Sequence, residues 1–199
     1  VLFPSKTTFK GRRWDNWDKN DRERTIDGCD EKLVVTHNDA DGLVAGALFI
    51  DHFGSDNVDV LSIDYENIEH TFEYISENAD DLEELYVSDL NLDELYDEIE
   101  DVADMVESFV WIDHHEWGEK EDAVSEMGVE MIINEDRAAT GLVYQYVTNN
   151  GYEGTETVKE TVKMTEDHDL WNHEMETITI GSHKVCISKA FSQMAFYSD

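Results

Sequence analysis

An α/β domain with a parallel sheet of about five strands and helices on both faces is what this sequence predicts. Three observations point there. Short apolar runs alternate with longer amphipathic stretches from residue 31 onward. A chain of 199 residues that is 40% hydrophobic can bury one real core. Three of the apolar runs also end in acidic or histidine-bearing clusters, and a parallel sheet would gather such clusters at one edge.

The elements follow from their periodicity. Leu33 to Thr36 reads as a buried strand, and Gly42 to Phe53, rich in Ala, Val and Leu, as the helix after it. Val58 to Ile63 is a second strand, followed by a helix over Ile68 to Asn78, and Leu85 to Ser88 is a third strand. The stretch from Leu92 to about Met105 carries Leu92, Leu95, Tyr96, Ile99, Val102 and Ala103 on one helical stripe. Phe109 to Ile112 and Met131 to Ile133 are the fourth and fifth strands, and Ala139 to Val147 and Thr155 to about Glu166 are helices. Ile178 to Phe196 mixes strand and helix signals. Pro4 is the single proline, so loops are marked by Gly, Asn and Asp.

Charge is the strongest compositional signal. The chain carries 48 acidic against 14 basic residues, a net charge of −34. That self-repulsion is screened where the Debye length falls to roughly 3 Å, at molar salt, so a salt-adapted cytoplasm is the expected setting. An acidic nucleic-acid mimic fits less well, because the acids are spread along the chain instead of forming one tract. Residues 1–30 are different: they hold seven of the fourteen basic residues against six acids, together with Trp14 and Trp17. This relatively basic N-terminal extension is either packed on the domain through its tryptophans or an arm for a polyanion. No apolar run approaches the roughly 18 residues of a membrane span, so no membrane partner is expected. Cys29 and Cys186 lie far apart and outside metal-ligand spacing, so neither a disulfide scaffold nor a zinc knuckle is supported.

The chemistry sits at the strand ends. The first strand runs into His37-Asn38-Asp39-Ala40-Asp41-Gly42, the third into Ser88-Asp89, and the fourth into Asp113-His114-His115, while Glu166-Asp167-His168-Asp169 lies at a helix end. Carboxylates and imidazoles in this number exceed what one open metal site needs and suit a pair of divalent ions roughly 3.5–4 Å apart. The histidines favour Mn²⁺, Zn²⁺ or Co²⁺ over Mg²⁺, which prefers oxygen ligands. In so acidic a chain a lone Asp39/Asp41 pair means little, but Asp-His-His has a chance expectation of roughly 0.03 occurrences.

Asp113-His114-His115 resembles the signature of the DHH phosphoesterase superfamily. His37-x-Asp39-x-Asp41-Gly42 resembles that family's first motif, Asp89 its second and the Asp167 region its fourth, in the family's order. Arg137-Ala138-Ala139-Thr140-Gly141-Leu142-Val143-Tyr144 resembles the helix start that follows its third motif. The resemblance covers residues 32–171 and implies a Rossmann-like DHH domain over residues 31–175, with two Mn²⁺ ions (Mg²⁺ or Co²⁺ in their place). It implies His37 and Asp39 on one ion, Asp41, His114 and Asp167 on the other, and Asp89 bridging, with Asp169 in reserve for Asp167. His115 would face the substrate phosphate as a catalytic residue, and Asp113 would orient the histidine pair. Arg137 is the basic candidate for a substrate phosphate, against a structural ion pair with a neighbouring acid.

Two departures from the family stand out. Many members place the first-motif histidine four residues before the first Asp, where this chain has Val35. Larger members also carry a second domain with a Gly-rich substrate-gripping motif, the DHHA1 domain, which nothing in residues 176–199 resembles. The expected activity is hydrolysis of a phosphodiester in a short oligonucleotide, a single-stranded nucleic acid end or a cyclic dinucleotide. The alternatives are a catalytically silent binding or assembly module and a pyrophosphatase or polyphosphatase.

Overall fold

The computed structural model describes residues 19–29, 31–92, 97–172, 177–180 and 183–186. Its centre is an all-parallel sheet of five strands: β1 (Lys32–His37), β2 (Asp59–Ile63), β3 (Glu84–Ser88), β4 (Ser108–Asp113) and β5 (Glu130–Ile133). They lie in the order β2-β1-β3-β4-β5. Helix α2 (Ala40–Phe53) links β1 to β2, and α3 (Ile68–Asn78) carries the chain back across β1 to β3. Helices α4 (Asp97–Met105) and α5 (Glu119–Glu126) connect β3 through β5, and α6 (Ala139–Asn149) and α7 (Glu156–Asp169) follow.

Alternation along each strand builds the two cores, because successive strand side chains point to opposite faces. Leu33, Val35, Leu85, Val87, Phe109 and Trp111 face one way, against residues of α3, α4 and α5. Val34, Tyr86, Val110 and Ile112 face the other, against residues of α2, α6 and α7. The strands are apolar on both faces because both faces are covered, as the sequence pattern anticipates. On the first face Phe72 stacks on Trp111 with ring centroids 5.6 Å apart, and the Trp111 indole N–H donates to the carbonyl of Leu90 at 2.7 Å. A large ring is thus buried with its one polar atom satisfied.

Several boundaries move. Helix α4 is described over Asp97–Met105, and the Leu95 and Tyr96 portion of the expected stripe lies outside the described residues. Helix α7 runs on to Asp169, capped at its start by the Thr155 side chain accepting from the Val158 N–H at 3.3 Å. Helix α5 is an addition: its one buried residue, Val124, gives too short an apolar stripe for periodicity to find. The compositional boundary at residue 30 is not a packing boundary. Helix α1 (Lys19–Asp27) places Ile26, 2% exposed, in the α3-side core, so residues 19–27 belong to the domain. Trp14 and Trp17 lie outside the described residues. In the ambiguous C-terminal segment, β6 (Thr177–Ile180) and β7 (His183–Cys186) pair antiparallel as a separate two-stranded sheet. No helix of the described residues is long and apolar enough to cross a membrane.

This strand order reverses direction between β1 and β3. From that point the connections leave to opposite sides of the sheet and a crevice opens at the carboxyl ends of the strands. His37 ends β1, and Asp89 directly follows β3.

Candidate metal centre

The first motif is a helix start as much as a ligand set. Asp39 is the N-cap of α2, and its Oδ1 accepts from the backbone N–H groups of Asp41 and Gly42, each at 3.0 Å. Asp41 faces away from α2 and caps another helix. Its carboxylate accepts from the N–H of Ala139 at 2.7 Å and of Thr140 at 3.0 Å, at the start of α6, 98 and 99 residues along the chain. The Thr140 hydroxyl donates back to the Asp41 carbonyl at 2.8 Å. Gly42 is fixed by close approach: a Cβ there would lie 2.2 Å from the carbonyl oxygen of His37. Below, the Ser88 hydroxyl donates to Thr36 Oγ1 at 3.0 Å, and Thr36 to the Gly42 carbonyl at 2.9 Å, pinning the β1 and β3 ends to the first turn of α2.

Asp89 occupies the left-handed region at φ 58° and is 1% exposed. A non-glycine residue there is held against a local cost of about 1 kcal/mol or more. Asp is among the residues that tolerate the conformation best. The Asp89 N–H donates to the Ile112 carbonyl at 3.1 Å, tying the loop after β3 to β4. At the end of β4, fully buried Asp113 accepts from His115 Nδ1 at 2.8 Å and from the Trp117 indole N–H at 2.7 Å. Both of its oxygens are therefore engaged, and Asp113 orients one histidine of the pair, His115. His114 turns inward, with Nε2 3.3 Å from Asp89 Oδ1 and 3.8 Å from Asp41 Oδ2, and Nδ1 3.6 Å from Asp169 Oδ2.

The result is two three-residue groups, His37 with Asp39 and Asp89, and Asp41 with His114 and Asp169, in each of which ligand-type atoms lie within 4.8 Å of one another. Asp89 joins them, because it also stands in a group with Asp113, His114 and His115. His37 Nδ1 lies 3.3 Å from Asp39 Oδ2 and 3.7 Å from Asp89 Oδ2, so the two-residue spacing still brings this histidine into the cluster. Among the described residues, the ion pairs of these carboxylates are all with histidines.

The electrostatics show a site short of positive charge. Burial lowers the proton affinity of His37, but the close carboxylates of Asp39 and Asp89 outweigh it and raise the imidazole to about 10. His114 is likewise opposed by burial yet raised to about 9 by Asp89, Asp169 and Asp41. Burial pushes Asp89 up to about 6, against the pull of His114 and His37. Burial and the charges of Asp89 and Asp169 push Asp41 up, while Thr140 at the α6 start holds it down. Burial also raises Asp169, with Asp39 adding repulsion and His114 opposing. Asp89 Oδ2 and Asp169 Oδ2 are buried and accept no hydrogen bond. Buried carboxylate oxygens left without donors, converging with imidazoles, form a donor set suited to borderline divalent cations.

The fourth-motif expectation needs correcting. Asp169, not Asp167, joins the cluster. The two are two residues apart on α7, about 200° around the helix, so they cannot point the same way. Asp169 lies at i+7 and i+4 from buried Val162 and Thr165 and reaches His114 Nδ1 at 3.6 Å, whereas Asp167, 8% exposed, stands in none of the ligand groups among the described residues. That helical spacing was the available signal in the sequence. Asp169→Asn is expected to weaken divalent-ion binding at least tenfold in a calorimetric titration, and Asp167→Asn to leave it within about twofold. The reverse ranking would return the ligand role to Asp167.

Arg137, the expected phosphate ligand, donates from Nε to Glu166 Oε1 at 2.6 Å. The pair lies over Gly141, where a Cβ would fall 1.9 Å from Glu166 Oε1 and 2.5 Å from an Arg137 nitrogen. The structural ion pair is thus the arrangement found, and glycine makes room for it. One residue at the centre had no signal in the sequence. Tyr65, in a single 3₁₀ turn over Tyr65–Asn67, lays its ring 4.8 Å from that of His37 and its hydroxyl 3.3 Å from His115 Nε2.

No protein-family model and no curated protein matches the chain. Among solved structures, an uncharacterized protein from Helicobacter pylori G27 is similar over 84% of this chain, with a TM-score of 0.58 and 18% identity. The chain spans half the length of that structure. At that identity the likeness shows a shared α/β fold.

Proposed function

We propose that this chain is a metal-dependent phosphoesterase of the DHH type. It hydrolyses a phosphodiester in a short oligonucleotide, a single-stranded nucleic acid end or a cyclic dinucleotide, with two Mn²⁺ ions as cofactor. The observation that carries the reading is the place of Asp89 at the switch point of a parallel sheet, in one ligand group with His37 and Asp39 and 3.3 Å from His114 of the other. Such a ligand set holds a pair of cations more naturally than one. His37, Asp39 and Asp89 would hold one ion, and Asp89, Asp41, His114 and Asp169 the other. When bound, such a pair would lower the pKa of the attacking water and offset the negative charge that grows on the phosphoryl oxygens.

The rest of the chemistry belongs to the chain. Ionised Asp113 keeps the proton on His115 Nδ1, which directs Nε2 outward to the place a phosphate oxygen would take. Trp117 holds Asp113 in turn, so the imidazole plane is set before substrate arrives. Five aspartates repel a polyanionic substrate until cations are present, which makes binding as well as turnover depend on the metal. A salt-adapted cytoplasm suits a protein of charge −34, since molar salt screens both its self-repulsion and its repulsion of nucleic acid.

The test is a screen of dinucleotides, short oligoribonucleotides, single-stranded DNA and pyrophosphate, with Mn²⁺ in molar KCl. Phosphodiester cleavage that stops in excess chelator is expected. Turnover that persists in chelator, or release of phosphate from pyrophosphate alone, would refute the reading.

Stability should report the same centre. His37 and His114 carry folded values of about 10 and about 9, above the ordinary 6.5 or so, so their protonation stabilises the ion-free fold. That contribution is fully present below about pH 6.5 and is lost as pH rises through 9 and 10. In chelator the melting temperature should therefore fall between pH 7 and pH 9, and saturating Mn²⁺ should flatten the slope, because the ions take over the protons' role. A flat profile in chelator would contradict the assignment.

A further inference from the structure

We propose that Tyr65 is a positioning residue for His115 and offers its hydroxyl to the same phosphoester oxygen, an inference that rests on the phosphoesterase reading above. The geometry leads there in three steps. Asp113 fixes one side of the His115 ring: its Oδ1 takes the Nδ1 proton at 2.8 Å, and its other oxygen is occupied by Trp117. The outward nitrogen, Nε2, has the Tyr65 hydroxyl 3.3 Å away, and the two rings meet edge to face with centroids 6.1 Å apart. The tyrosine ring also tilts over His37, a member of the first ligand group, with centroids 4.8 Å apart.

One side chain therefore touches both the ion-binding side and the substrate-facing side of the centre. Tyr65 is nevertheless 38% exposed, one of the two exposed large hydrophobic residues among the described ones. A tyrosine kept at the exposed side of a carboxylate cluster contributes little to the core. Its placement is set by the turn after β2 and by the Asn38 amide, which donates to Asp64 Oδ1 at 2.7 Å and ties this turn to the first motif. A neutral phenol is a donor that adds no negative charge to a site already crowded with carboxylates. At 3.3 Å the contact is long for a hydroxyl hydrogen bond, so the hydroxyl can exchange His115 for a phosphate oxygen without giving up a strong partner. Phosphate binding would then find the tyrosine hydroxyl and, with the imidazole carrying both protons, the His115 Nε2–H converged on one oxygen.

Tyr65→Phe separates this role from packing, since it keeps the ring over His37 and removes only the hydroxyl. Two readouts are needed. With Mn²⁺ and a dinucleotide substrate, kcat/KM should fall about tenfold, with Mn²⁺ stoichiometry unchanged in a calorimetric titration. In ¹H–¹⁵N spectra recorded with diamagnetic Mg²⁺, the His115 Nε2 resonance, assigned through His115→Gln, should move in the variant while His114 and His37 hold. An unmoved His115 resonance or unchanged kcat/KM would overturn the role of Tyr65. Absence of hydrolysis by the wild-type protein would instead overturn the phosphoesterase reading, and the nitrogen spectra would still decide the Tyr65–His115 contact.

Discussion

Asp89→Asn is expected to lower Mn²⁺-dependent hydrolysis at least about a thousandfold while leaving the ion-free protein as stable as the wild type or more so. The two effects have one cause. Asp89 stands in one ligand group with His37 and Asp39, and its Oδ1 lies 3.3 Å from His114 of the other, so its loss is felt at both candidate ion positions at once. The same carboxylate is expensive to keep in the absence of an ion. It is 1% exposed, its Oδ2 accepts no hydrogen bond, and burial raises its pKa to about 6. For an acid, a folded value above the ordinary 3.9 or so means that stability falls as pH rises from about 4 to about 6, when the buried charge appears. An amide removes that cost. Asn also accepts the left-handed backbone at φ 58°, so the loop after β3 keeps its shape. Activity assays and thermal melts in chelator at pH 8 read the two halves separately. An active Asp89→Asn protein would remove the shared ligand and the mechanism with it.

Gly42→Ala should have the largest effect on the fold. Its Cβ would sit 2.2 Å from the His37 carbonyl oxygen, 2.8 Å from the His37 carbonyl carbon and 2.9 Å from its nitrogen. All three are backbone atoms at the end of a central strand, so no side chain can swing aside. The first turn of α2 must lift off β1. That would break the Thr36 hydroxyl contact to Gly42 and disturb both caps, Asp39 on α2 and Asp41 on α6. A loss of about 3 kcal/mol or more is expected, a fall in Tm of roughly 6–12 °C for a chain of this size. Saturating Mn²⁺ should recover little of it, because His37 and Asp39 move with the turn. A melting temperature within a degree or so of wild type, measured in molar KCl, would show that the close approach is not rigid.

These two sites show how far the residues alone could be read. The five strands and most helices were legible because a doubly covered parallel strand must be apolar on both faces, and a covering helix must carry an apolar stripe. Leu33 to Val35 and Ile68 to Ile75 show both patterns. Helix α5 was not legible, since one buried residue, Val124, leaves no stripe. The membership of α1 in the domain was hidden too, because Ile26 is a single apolar contact inside a basic, polar stretch. Asp39, Asp41, Asp89 and His114 were offered by their type at strand ends and singled out by the resemblance to the DHH motifs, and the structure brings them together. Asp41's capping of α6 could not be, since it joins residues 98 positions apart.

Residue order alone sets the class of fold, the pool of acidic and histidine side chains, and the strand ends at which they are offered. Local periodicity and residue chemistry are sufficient for that much. The tertiary structure decided which members of the pool share a centre: Asp169 and not Asp167, Arg137 paired with Glu166, Tyr65 set against His115. The reason is geometric. A neighbouring residue on a helix turns by about 100° and one on a strand by 180°, so the aim of a side chain is fixed only when the element docks.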